Sequence, residues 1–107
     1  MPPALMDAVA ERFRALGDPT RLAIVEALVF EGESNVSELV QHLGASQANV
    51  SKHLRILHDA GFVARRQEGT SVYYRVEDPG IIQLCDIVCA RIREQTEAET
   101  RALLGSA

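Results

Sequence analysis

The chain has 107 residues, 47% of them hydrophobic and 24% charged, with a formal net charge of −4. That length suits a single globular domain, expected over residues 1–107, with a modest core. No apolar run approaches the ~20 residues of a membrane span. No basic-then-apolar leader follows Met1-Pro2-Pro3, so the protein is expected in the cytoplasm, with Cys85 and Cys89 as reduced thiols.

Leu5, Val9, Phe13 and Leu16 recur at helical spacing and predict an amphipathic helix over about 5–16, ended by Gly17. Asp18-Pro19 reads as a cap followed by proline at the first position of a second helix. That helix is expected to turn Leu22, Val25 and Leu28 inward, with Ile24 and Val29 beside them, and to stop at Gly32. Asn35 and Glu38 have capping-box spacing. They open a short third helix that buries Leu39 and Leu43 and ends at Gly44. Ser46 caps a fourth helix after a turn of very few residues, so that 36–60 forms a helix-turn-helix.

The fourth helix, about Gln47 to Ala60, carries Val50, Leu54 and Leu57 as its inward stripe. At 3.6 residues per turn, the opposite face holds Ala48, Ser51, Lys52, Arg55 and Asp59. Strands are expected at Phe62–Gln67 and Ser71–Val76, joined through Glu68-Gly69-Thr70 as a hairpin over 62–76. Asp78-Pro79 repeats the earlier cap pattern and opens a last helix over about 79–104. At ~1.5 Å per residue it is close to 40 Å long. A helix so long, with so wide an apolar stripe, calls for a partner outside its own domain.

Charge is uneven along this order. Residues 46–75 hold Lys52, Arg55, Arg65, Arg66 and Arg75 against Asp59 and Glu68, a balance of +3. The rest holds six basic and thirteen acidic residues, a balance of −7. A basic middle between acidic ends fits one positive face; it also fits chance scatter.

The residues Leu16-Gly17-Asp18-Pro19-Thr20-Arg21-Leu22, Val36 to Gln47, Asn49-Val50-Ser51-Lys52-His53-Leu54, Leu57 through Ala60-Gly61-Phe62-Val63, and Tyr73-Tyr74 together resemble the ArsR/SmtB family of winged-helix repressors. The resemblance runs over roughly 8–92. It implies a fold that is mainly α with a β-hairpin, a winged helix-turn-helix, and a homodimer paired through the first and last helices. It also implies binding to an inverted-repeat operator in double-stranded DNA, with release by an effector. The striped terminal helices agree with such pairing. A two-fold dimer sets its recognition helices about one DNA turn, ~34 Å, apart.

A recognition helix reads the major groove with small or polar residues in its first turns. Ser46, Gln47, Ala48, Ser51 and Lys52 qualify, with Arg55 farther along and better placed for a phosphate. Gln47 suits adenine, Lys52 guanine acceptors, and Ala48 a thymine methyl. Arg65, Arg66 and Thr70 of the hairpin are expected against the backbone or minor groove. The competing reading is a winged helix used for protein contacts, which calls for aromatic or Leu anchors on the outer face of the fourth helix; that face is Ala, Ser, Lys and Arg. An enzyme is not expected. There is no phosphate-binding glycine loop, and His42, His53 and His58 lie on or beside helix stripes without a nucleophile and orienting acid.

Effector chemistry is less defined. Family members that bind soft metals or arsenic carry a Glu-Leu-Cys-Val-Cys-Asp-Leu box. The matching stretch here is Glu33-Ser34-Asn35-Val36-Ser37-Glu38-Leu39, without either cysteine. The Asp and His zinc pairs of other members are missing too, since the last helix has no histidine. Cys85 and Cys89 remain, on one face of that helix. They read either as small core residues or as a thiol site for a soft metal, a metalloid or redox chemistry. DNA binding itself requires no cofactor.

Overall fold

The computed structural model describes residues 1–105. The elements in chain order are α1 (Pro3–Leu16), α2 (Pro19–Glu31), β1 (Ser34–Asn35), α3 (Val36–Leu43), α4 (Gln47–Asp59), β2 (Val63–Glu68), β3 (Ser71–Val76) and α5 (Gly80–Leu104). Five helices and a small antiparallel sheet make a winged helix-turn-helix.

Helix boundaries follow the local chemistry. Asp18 Oδ1 accepts from the backbone N–H groups of Thr20 and Arg21 at 2.9 and 3.1 Å, with Pro19 in the first position of α2. Asn35 and Glu38 form the full reciprocal capping box at the start of α3, at 2.8 and 3.0 Å. Gly44 ends α3 at φ +68°, and its N–H donates to the Val40 carbonyl. That left-handed geometry favours glycine and lets the chain reverse within three residues into α4.

The core lies where α2, α3 and α4 meet. Ile24, Leu39, Val50, Leu54 and Leu57 are all but sealed from solvent. Phe62 and Val63 extend this core beneath the hairpin, and Ile81 plugs it from the start of α5.

The structure corrects the sequence expectations at four places. Leu22 and Val29 face outward, and Ala27 takes the inward position with Ile24, Val25 and Leu28. A two-residue strand, β1, precedes α3 and pairs with β3 through Ser34↔Tyr74 and Asn35↔Tyr73, giving the sheet order β1-β3-β2. Two residues carry no periodicity, so no pattern marked this strand. In the hairpin, β2 begins at Val63 and includes Glu68 opposite Ser71, leaving Gly69-Thr70 as the tip. Asp78 does not cap α5: its carboxylate accepts only from Gly80 N–H, Pro79 holds the cap position, and the helix starts at Gly80.

Past Ile81, no described residue of α5 is fully buried. The radius of gyration is 17.1 Å, against ~13 Å for a compact chain of this length. Exposed apolar side chains gather on α1 (Leu5, Met6, Phe13), α2 (Leu22, Val29, Phe30) and α5 (Ile87, Val88, Ile92).

Because the Asn35 side-chain oxygen is the acceptor for Glu38 N–H, Asn35→Ala is expected to lower unfolding stability by about 1–2 kcal/mol in urea melts. Ser37→Ala, on the exposed side of the same turn, is the comparison and should change little.

Candidate nucleic-acid interface

Helix α4 has two opposed faces. Val50, His53, Leu54 and Leu57 point inward and are buried. Gln47, Ala48, Ser51, Lys52, Arg55 and Asp59 are exposed on the other side. Ser46 is exposed as well, but its hydroxyl accepts from Asn49 N–H at 3.1 Å and so serves as the cap. Lys52 and Arg55 form no salt bridge among the described residues, which leaves both cations free for an outside anion.

The hairpin separates two arginines that were expected to act alike. Arg65 pairs opposite Tyr74, is exposed, and makes no side-chain hydrogen bond or ion pair among the described residues. Arg66 is occupied. Its Nη2 meets Glu33 Oε1 at 2.6 Å, its Nη1 meets Glu68 Oε2 at 2.9 Å, and its guanidinium lies 5.0 Å from the centre of the Tyr73 ring. Two carboxylates and a ring engage Arg66 at the exposed surface of the hairpin. Thr70 stands exposed at the hairpin tip.

The Arg66 hydrogen bond holds the Glu33 carboxyl below the ordinary glutamate range, and Arg66 is itself pushed upward by Glu33 and Glu68. A depressed carboxylate contributes its bond above the ordinary range and loses it as pH falls through the lowered value. The hairpin is thus latched to the start of β1 at neutral pH.

Sequence reasoning did not find Arg21 and His53 as working residues. Arg21 Nη1 and His53 Nδ1 are 3.0 Å apart, joining α2 to the inner side of α4. One signal was available. An arginine in the first turn of a helix sits at its positive pole, an unfavourable place that implies acceptors elsewhere.

Cys85 is half-buried and Cys89 exposed, and both are free thiols. They line one apolar groove of about 790 Å³ between α1, α2 and α5, together with Phe13, Val29 and Ile92. Burial pushes the Cys85 thiol up, and Asp86 adds to the effect. Among the described residues, no three His, Cys, Asp or Glu side chains converge as a metal site.

Comparison with known proteins decides the family. The description "Bacterial regulatory protein, arsR family" matches residues 18–65. The regulator CmtR of Mycobacterium tuberculosis is 36% identical over 104 residues, covering 94% of this chain and 87% of its own. This chain belongs to the ArsR/SmtB family of winged helix-turn-helix transcriptional repressors. A protein of Streptomyces lividans, described as a probable mercury resistance operon repressor, is 44% identical over 78 residues, or 73% of this chain. This chain spans 62% of that relative's length. A solved homodimeric winged helix-turn-helix DNA-binding domain from Mycobacterium bovis, a possible ArsR-family transcriptional regulator, superposes with a TM-score of 0.75 at 33% identity. It covers 85% of this chain and 83% of its own.

The Arg66 latch generates a test. Arg66→Ala leaves Glu33 and Glu68 unneutralised beside the hairpin and should weaken DNA binding about five-fold at low salt. Adding Glu33→Gln and Glu68→Gln to Arg66→Ala should restore the affinity. If Arg66 bonded a phosphate directly, the triple variant would stay weak.

Proposed function

We propose that this repressor reads an inverted-repeat operator as a homodimer, with Gln47, Ala48, Ser51 and Lys52 at base edges and Arg55, Arg65 and Thr70 on the backbone. The observation that carries this is the outer face of α4: polar, exposed and without an apolar anchor, with Lys52 and Arg55 in no ion pair among the described residues. A protein-docking surface would need such an anchor. Ser46 supports the interface as the cap of α4, and Arg66 supports it by holding the hairpin in place.

The dimer reading rests on apolar surface. Leu5 and Phe13 of α1 and Ile87, Val88 and Ile92 of α5 are each at least half exposed in one subunit. Exposed apolar side chains in such number mark an interaction surface. No helix among the described residues is long and apolar enough to cross a membrane, in keeping with a cytoplasmic regulator.

For the effector, the arrangement favours Cys85 and Cys89 as a soft-metal site. Two thiolates neutralise a divalent ion, and a neutral complex suits an apolar groove. With no third ligand converging among the described residues, the pair fits an ion content with two sulfurs, such as mercuric ion. Binding forms two sulfur–metal bonds and releases two protons. The similarity to a protein named for mercury resistance points the same way. Because the Cys85 thiol is raised, binding should strengthen as pH rises.

Gln47→Ala and Lys52→Ala should each cost about 1–3 kcal/mol on the selected operator and relax base preference. Arg55→Ala and Arg65→Ala should weaken binding to all duplexes and each lower the salt slope by about one. The reverse pattern would exchange the roles. Sedimentation at micromolar concentration should show a dimer; a clean monomer would remove that part of the reading.

Operator affinity of the reduced protein should fall on adding mercuric chloride, and less or not at all with zinc. The Cys85→Ser, Cys89→Ser double variant should not respond. An equal response from the double variant would place the effector site elsewhere.

A further inference from the structure

Arg21 occupies the point where three helices meet. Its backbone N–H donates to Asp18 Oδ1 at the start of α2. Its Nε donates to the Ala15 carbonyl at 2.6 Å, and its Nη2 to the Arg14 carbonyl at 3.2 Å. Those carbonyls belong to the last turn of α1, at its negative pole, where the Arg14 carbonyl also accepts from Gly17 N–H at 3.2 Å. The remaining arm reaches α4 at His53 Nδ1. A guanidinium only donates, so Nδ1 accepts and the imidazole proton sits on Nε2.

Among the described residues, this is the one side-chain hydrogen bond that joins α4 to another helix. Everything else holding α4 to α2 and α3 is apolar packing around Val50, Leu54 and Leu57. Apolar attraction is non-directional. It holds the helix down but resists small rotations and slides less sharply than a fixed fork of donors does. His53 lies between Lys52, on the outer face, and Leu54, on the inner one. A shift of His53 is therefore a shift of the reading face.

We propose that Arg21, acting through His53, is a positioning residue for DNA reading: it fixes the angle of α4 against the end of α1. The inference rests on the homodimer reading above. If α1 contributes to the seam between subunits, that angle sets the separation and relative rotation of the two recognition helices. The property at stake is then discrimination of half-site spacing, more than affinity for a single half-site. The groove beside the thiols is lined by Phe13, Leu16 and Gly17, the residues flanking Arg14 and Ala15, and by Leu22, next to Arg21. The clamp thus borders the groove where an effector would act.

The test uses the full chain and a duplex selected by the wild-type protein from a random pool. One base pair is then inserted between the half-sites, which separates them by about 3.4 Å and turns them by about 34°. Wild type should lose about ten-fold in affinity or more on the insertion. His53→Leu should bind an isolated half-site as wild type does, while its loss on the insertion shrinks to about three-fold or less. His53→Asn places an amide oxygen near the position of Nδ1 and should keep wild-type discrimination. Arg21→Lys keeps the charge but cannot serve three separated acceptors, and should behave like His53→Leu. It decides the matter if His53→Leu does not fold by circular dichroism. Wild-type spacing discrimination in both His53→Leu and Arg21→Lys would overturn the clamp. So would equal loss in His53→Asn and His53→Leu. A wild-type protein that selects single half-sites would overturn the dimer reading instead, a result distinct from either.

Discussion

Burial of one stripe, Val50, Leu54 and Leu57, decides most of what this protein presents to the outside. All three have no accessible surface left, and each contributes on the order of 1.5–3 kcal/mol when fully removed from water. Turning α4 by one residue would lift them out together and bury Ser51, Arg55 and His58 in their place. The rotation of the helix about its axis is therefore fixed. With 100° between successive residues, the outer face has to consist of Ala48, Ser51, Lys52 and Arg55. Gly44 matters for the same reason, since its left-handed turn lets the chain enter α4 at this register.

Electrostatics refine that picture. The basic residues of the middle segment are not equivalent once folded. Arg66 is shared between Glu33 and Glu68, and Arg75 lies 3.5 Å from Glu77. Lys52, Arg55 and Arg65 have no carboxylate partner among the described residues. The positive field is narrower than the composition implies, and it is concentrated on α4 and the adjoining hairpin strand. Acidic residues elsewhere repel a polyanion, so a duplex is steered toward one approach.

The rest of the fold is concerned with the opposite side. Helix α5 is anchored by Ile81, with Ile82, Leu84 and Cys85 packed against the core, and beyond them it is exposed. Its apolar stripe, with those of α1 and α2, frames the groove that contains both thiols. Cys85 is partly buried and packs against the core, and Cys89 is exposed on the same groove. Arg21 lies between this side and the reading helix, with acceptors on α1 and α4.

Local chemistry determined the helices, their caps and the two faces of α4. Asp18-Pro19, the Asn35–Glu38 box and Gly44 act within four residues of themselves, and a 3.6-residue period is a property of one segment. That is why the helix-turn-helix and its outward residues were legible in the sequence. Tertiary structure decided what depends on residues distant along the chain. Strand β1 exists only because β3 is present to pair with it. Leu22 faces outward and Ala27 inward because the direction of a helix face is set by its neighbours as well as its own stripe. Asp78 matched the pattern of Asp18 but lost the cap, as α5 begins one residue later. Arg66 meets Glu33 and Arg21 meets His53 across separations of 33 and 32 residues. No local pattern can encode such a meeting, because the two side chains come together only after the core has closed between them.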